Sequence, residues 1–321
     1  MRPAVVSWRC QSAQTVLEIR LQLRPAHGRA AIKVMQQGRP ATPPLAQAVQ
    51  GHLQWQSFCA GFEAAPAGQQ LLCELSHEPA GEDWPLACWL ALLALRNPAS
   101  GLPAQGAAGA QPDAQWHGAL PLFHAAPPLP GPALRIARVY FPLIGAAPEL
   151  AWVEAAQLAC APPAESALQV CGVAPDLAHA VCDTLQAARA SECAPVTRWR
   201  SLLRFGAASG ALQKFSGNSW QLAAVLADRI SRGCELPHLQ GRLIASGASH
   251  AWPQIDSVDG CAAKCALLRA QAQSGDRILL PQAWQAQLPA DFAAAMQQQN
   301  CQLKLVGKIG FWQPSDAVRT A

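Results

Sequence analysis

Charge is scarce in this chain. Asp, Glu, Lys and Arg supply 14% of its 321 residues, the formal net charge is +4, and no Lys/Arg run occurs. Nucleic-acid surfaces need clustered basic residues, so this balance gives no ground for one. Long apolar runs are missing too: the longest, Trp84 to Leu95, is well short of the ~20 residues that span a bilayer. Met1-Arg2-Pro3 leads into a mixed segment with Arg9, Cys10 and Gln11, which reads as no cleavable signal. A phosphate-cradling G-x-x-x-x-G-K-S/T loop is absent, because the sole Gly-Lys pair, Gly307-Lys308, is followed by Ile309. Neither Cys-x-x-Cys nor His-x-x-x-His occurs, so no metal centre and no cofactor is expected.

What is present is apolar. Hydrophobic residues make up 51% of the chain, enough to build a core in each of two ordinary domains. Twelve cysteines without a signal read as reduced thiols in a cytoplasmic protein, most of them small buried hydrophobes. Cys160, Cys171, Cys182 and Cys193 recur every eleven residues but fall in different elements, so the regularity is taken as chance. Cys261 and Cys265 share one helix face and read as core packing. The histidines, among them His117, His124, His179, His238 and His250, show no pairing with an acid and a nucleophile; only His250 lies near the candidate site.

The clearest boundary is the Pro-rich stretch 126–133, since proline fixes φ and disfavours helix and interior strand alike. It separates residues 1–125 from 134–312, with a patternless tail at 313–321. In the first part, alternation predicts strands at Val16–Leu23 and Ala30–Met35, then a helix at Leu45–Phe58, a strand at Gln70–Leu75 and a buried helix at Pro85–Leu95. Asn97 to Asp113, rich in Gly, Ala and Pro, reads as a loop.

The second part begins with strands at Leu134–Phe141, Leu150–Cys160 and Ala167–Cys171, a helix at Pro175–Ala190 and a strand at Ser201–Phe205. Helices at Trp220–Ser231, Cys261–Gln273 and Ala290–Gln298 then alternate with strands at Arg242–Ala245, Arg277–Leu280 and Gln302–Val306. This is an α+β order with several βα units.

Two residues in the second part carry chemistry. Ser219 follows Gly217-Asn218 and opens a run in which Leu222, Val225, Leu226 and Ile230 recur at helical spacing. At the N-cap or first turn it either caps the helix or sits where unpaired N–H groups can stabilise an oxyanion. Lys264 lies in Cys261-Ala262-Ala263-Lys264-Cys265-Ala266-Leu267-Leu268, with no acid nearer than Asp259. There it either snorkels to the surface or, if buried, loses its proton readily enough to act as a base.

The order of motifs around these residues resembles the Lon-type peptidase domain. That family has a Gly-Pro-Ser nucleophile turn, a Thr-Gly-Glu strand end, a Gly-Gly-x-Lys-Glu-Lys helix start and a strand ending in Pro. Here stand Gly217-Asn218-Ser219, Ser246-Gly247-Ala248, Asp259-Gly260-Cys261-Ala262-Ala263-Lys264 and Ile278-Leu279-Leu280-Pro281, and the 45 positions from Ser219 to Lys264 are similar to the family interval. Upstream, Leu150-Ala151-Trp152-Val153-Glu154 looks like its Leu-Ala-Trp-Thr-Glu strand. The resemblance implies an ATP-independent serine peptidase with Ser219 as nucleophile, Lys264 as general base and Ser246 orienting the lysine.

Several positions depart from the pattern: Trp220-Gln221 follow the serine, Ser216 precedes the turn in place of an acid, and Ala248 and Ala262 replace Glu and Lys. A catalytically inactive Lon-fold interaction module, working with a separate AAA+ ATPase, therefore stays open beside the enzyme. The family also implies a protein or peptide substrate and a homo-oligomer, with no nucleic acid or membrane.

Residues 1–125 resemble the Lon-like N-terminal domain of magnesium-chelatase-like competence proteins. The match runs through Ala4-Val5-Val6-Ser7, the Leu17–Met35 strand pair, Gly61-Phe62-Glu63 and Gly81-Glu82-Asp83-Trp84-Pro85-Leu86-Ala87. No Ser or Lys stands near Asp83 to Pro85, which implies a degenerate first copy of two tandem Lon-protease-like domains, serving in binding or scaffolding.

Overall fold

The computed structural model describes residues 5–12, 15–26, 31–80, 83–109, 120–126, 134–145, 147–159, 167–190, 192, 199–207, 217–249 and 253–309. The linker residues 127–133, the tail, Cys160, Cys193, His117, His250 and Ser216 lie outside them. The chain divides into two compact units, Met1–Pro132 and Ala133–Ala321.

The first unit runs β1 (Val5–Ser12), β2 (Thr15–Pro25), β3 (Ala31–Gln36), β4 (Arg39–Pro40), α1 (Pro43–Cys59), β5 (Gln69–Leu75), α2 (Trp84–Arg96), β6 (Gln105–Ala108) and β7 (Leu122–Phe123). Its sheet order is β4-β3-β5-β2-β1-β6-β7. Period-two alternation places Leu17, Ile19 and Leu21 in the core and Arg20 in solvent. Helix α2, apolar almost throughout, buries eight residues between Ala87 and Leu95, as a core helix must.

The second unit runs β8 (Leu134–Leu143), β9 (Glu149–Ala159), β10 (Ala167–Cys171), α3 (Pro175–Ala190), β11 (Trp199–Gly206), α4 (Gln221–Arg232), β12 (Leu243–Ala245), α5 (Cys261–Gln271), β13 (Arg277–Pro281), α6 (Phe292–Gln298) and β14 (Gln302–Val306). Its sheet order is β10-β11-β9-β8-β12-β13-β14. Two mixed sheets and helices in βα units make the architecture α+β.

The segment expected to be a loop, Asn97 to Asp113, contains β6, which pairs in parallel with β1 through Ser7–Gln105 to Cys10–Ala108. Gln-Gly-Ala-Ala has little strand propensity of its own; the strand exists because β1 offers an edge and Trp8 covers it. A side chain at Gly106 would come within 2.7 Å of the Trp8 ring, so the ring and the strand demand glycine here.

The two units share one plan. In the first, β1 is antiparallel to β2, β2 to β5, β5 is parallel to β3, and β1 and β7 flank β6 in parallel. In the second, β8, β9, β11, β10, β12 and β13 repeat those pairings with the same senses. Helices α1 and α3 occupy equivalent connections, as do α2 and α4. At the start of the latter pair, Trp84-Pro85-Leu86-Ala87 stands where Trp220-Gln221-Leu222-Ala223 does, and Asp83 falls at the place of Ser219.

Helix α4 is buried along ten of its twelve residues. Its C-terminal half is held by ions. Asp228, 1% exposed, accepts from Gln157 Nε2 at 3.1 Å, Arg189 Nε at 3.1 Å and Arg232 Nε at 2.8 Å. Glu192 accepts from Arg229 at 2.6 Å and Arg232 at 2.7 Å. The network ties α4 to α3 and β9, and each carboxylate is hydrogen-bonded from several sides. Removing one partner of such a pair leaves uncompensated buried charge. Asp228→Ala should therefore cost about 3–5 kcal/mol in urea denaturation, whereas Asp291→Ala, which removes an exposed pair with Arg269, should leave the midpoint nearly unmoved.

Candidate active site

Ser219 and Lys264 line the same cleft, of about 460 Å³, together with Leu143, Ile144, Gly217, Asn218, Ala248, Ser257, Val258, Asp259 and Gly260. Two connections that are remote in sequence thus meet at one cleft, although α4 and α5 pack on opposite faces of the sheet.

Ser219 lies one residue before the N-cap of α4, which is Trp220, rather than at the cap or in the first turn. The reason is long-range. Ser219 C=O accepts the Gly247 N–H at 3.2 Å, and Leu222 N–H donates to Gly247 C=O at 3.1 Å. These bonds strap the serine turn to the chain leaving β12 and hold the serine carbonyl out of the helix. Gly247 permits the approach, because a Cβ there would come within 2.7 Å of Ile255. Gly217, at φ +87°, turns the chain into the serine through the left-handed region that favours glycine. Among the described residues, the Ser219 and Trp220 amides donate to no backbone carbonyl. Both lie beside the hydroxyl at the N-terminal, positive end of α4.

Trp220 points into the core. It is 2% exposed, its indole N–H donates to Gly217 C=O at 2.9 Å, and its ring meets Phe205 edge-on at 6.0 Å. It therefore closes the serine turn on itself and leaves the cleft open. Gln221, the next departure from the family pattern, accepts the Ser249 N–H at 2.7 Å and adds a further tie between the same two segments.

Lys264 sits in the first turn of α5, behind Gly260, whose φ of +81° starts the helix. It is 6% exposed, so the snorkelling alternative does not apply. Its Nζ lies 5.7 Å from the centre of the Trp284 ring. Trp284 is itself fully buried, and its indole N–H is fixed to Val258 C=O at 3.0 Å. Burial pushes the Lys264 ammonium down to about 8, while Asp259 and Cys261 pull the other way. Among the described residues, no hydrogen bond joins the Ser219 hydroxyl to the Lys264 amine.

Ser246 does not act on the lysine as the resemblance implies. Its hydroxyl is fully buried yet has no hydrogen-bond partner, so it does not orient Lys264 in this state. Ala248, in place of the family's glutamate, lines the cleft and pairs with Asp256 through two backbone bonds.

Cys265, buried beside Cys261, is pushed up to about 12 by burial and that neighbour, as expected of packing thiols. Among the described residues no group of three His, Cys, Asp or Glu side chains is placed to hold a metal. His124 and His238 bond to the Gly109 and Gly275 carbonyls, and neither is among the described residues that line the cleft. No helix among the described residues is long and apolar enough to cross a membrane.

Two cleft features escaped the sequence: the Trp284 wall behind the lysine, and the apolar lip of Leu143 and Ile144. Both come from segments distant from either motif. No family model matches the chain, and no curated protein does.

A lysine depressed from its unfolded value binds fewer protons folded than unfolded between about 8 and the ordinary lysine value, so stability rises with pH across that window. Below it, both states are protonated and the burial penalty is fully present. Lys264→Met should accordingly be more stable than the wild type at pH 7, by a few kcal/mol at most. That advantage should shrink in denaturant titrations as pH approaches about 10.4.

Proposed function

We propose that the protein is a Lon-like serine peptidase, with Ser219 as nucleophile and Lys264 as general base, working without ATP in a reduced, cytoplasmic setting. The observation that carries this reading is the meeting in one cleft of a serine at the start of a helix and a buried lysine whose ammonium is disfavoured. Neutral Lys264 takes the Ser219 proton as Oγ attacks the peptide carbonyl. The Ser219 and Trp220 amides stabilise the oxyanion, and the lysine returns its proton to the departing amine. Water, deprotonated by the same amine, then hydrolyses the ester. The Ser219–Lys264 hydrogen bond forms as substrate closes the site; catalytic contacts of this kind are commonly long in the free enzyme.

One observation favours the alternative, a Lon-fold module that binds protein without cutting it and works with a separate AAA+ ATPase. The Ser246 hydroxyl, which would hold the lysine in an active site of this type, is buried and unpartnered. The first unit, lacking a serine at Asp83, is in either case a binding or scaffolding copy of the same fold.

Casein and fluorogenic peptide cleavage by the full chain decide between them. Ser219→Ala and Lys264→Met should each lower kcat/KM by at least about 10³-fold. The wild-type rate should rise with pH through about 8, as Lys264 loses its proton. Equal turnover by wild type and Ser219→Ala would remove the dyad and leave the binding module.

A further inference from the structure

Asp259 is the one acidic side chain lining the cleft, and its charge is unspent. It is exposed, and among the described residues it makes no ion pair or hydrogen bond. It is close enough to Lys264 to favour the ammonium, yet burial overrides it. The working form of the dyad receives substrate with Lys264 neutral, which leaves Asp259 as the charged side chain among the described lining residues. The lining sets the apolar side chains of Leu143, Ile144, Ala248 and Val258 alongside the uncharged polar ones of Asn218, Ser219 and Ser257. An apolar wall with one carboxylate suits a side chain that is itself a hydrocarbon stem ending in a cation.

We propose that Asp259 is a specificity-determining residue, selecting peptides with Lys or Arg beside the bond presented to Ser219. The stem of that side chain lies along Leu143, Ile144 and Val258 while its head pairs with the Asp259 carboxylate. A substrate cation placed there also faces no competing ammonium, because Lys264 is neutral when it acts. Being cleft-exposed, Asp259 is screened by salt, so the selectivity it confers weakens with ionic strength.

The inference rests on the Ser–Lys reading, and its test separates the two. Matched fluorogenic peptides carrying Lys, norleucine or Glu at one position are compared with the full chain. The readout is the ratio of kcat/KM values, because removing the Asp259 charge also moves Lys264 and hence every absolute rate. The wild type should prefer Lys over norleucine by about tenfold or more at low salt. Asp259→Asn should bring that ratio close to one, and Asp259→Lys should turn the preference toward Glu. If wild type cleaves Lys and norleucine peptides equally while Ser219→Ala is inactive, the inference fails and the dyad stands. If wild type cleaves neither, the dyad fails, and fluorescence anisotropy of the same peptides decides the inference. Tighter binding of the Lys peptide that Asp259→Asn abolishes upholds charge selection; equal binding overturns it.

Discussion

The immobility of α4 underlies everything at the candidate site. The helix is buried almost throughout and gripped at both ends by unlike forces. At its C-terminal half, Asp228 and Glu192 bind three arginines in a nearly water-free network. At its start, the Gly247 strap and the Gln221–Ser249 bond fix the serine turn to the chain leaving β12. A nucleophile needs a defined position more than it needs reactivity of its own. The turn bearing Ser219 gains that position from backbone bonds, which tolerate the loss of polar side chains around it.

The departures from the family pattern then take on a physical meaning. Trp220, which by size alone threatened the cleft, lies in the core as a packing residue against Phe205. Trp284, from a segment outside the Ser219 and Lys264 motifs, forms a buried wall 5.7 Å from the Lys264 amine. The Ser246 hydroxyl is left buried without a hydrogen-bond partner.

Much of the frame was legible in the sequence. Helix α3 and strand β14 fall on the bounds that periodicity indicates, and β9 and β11 differ by a residue or two, because their apolar patterns are local. What could not be read was long-range. Strand β6 exists through pairing with β1, and no property of Gln-Gly-Ala-Ala announces it. The position of Ser219 before the cap depends on a carbonyl taken by Gly247, which is 28 residues away along the chain (219 to 247). The direction of Trp220 and the orphaned Ser246 hydroxyl were equally invisible, since both are set by what packs around them.

The shared plan of the two units has a consequence for how such a site comes into being. Helix α2 begins like α4, with the same tryptophan, and a serine at Asp83 would complete the resemblance. A hydroxyl alone would achieve nothing there. The amine in the second unit arrives on the connection from β12 to β13, residues 246–276, whereas the matching stretch from β6 to β7, residues 109–121, contains no lysine at all. Ser219 thus stands at a place that both units possess, whereas Lys264 comes from a connection that is longer in the second unit. On the dyad proposed above, the shared plan supplies the position and the longer connection of the second unit supplies the amine.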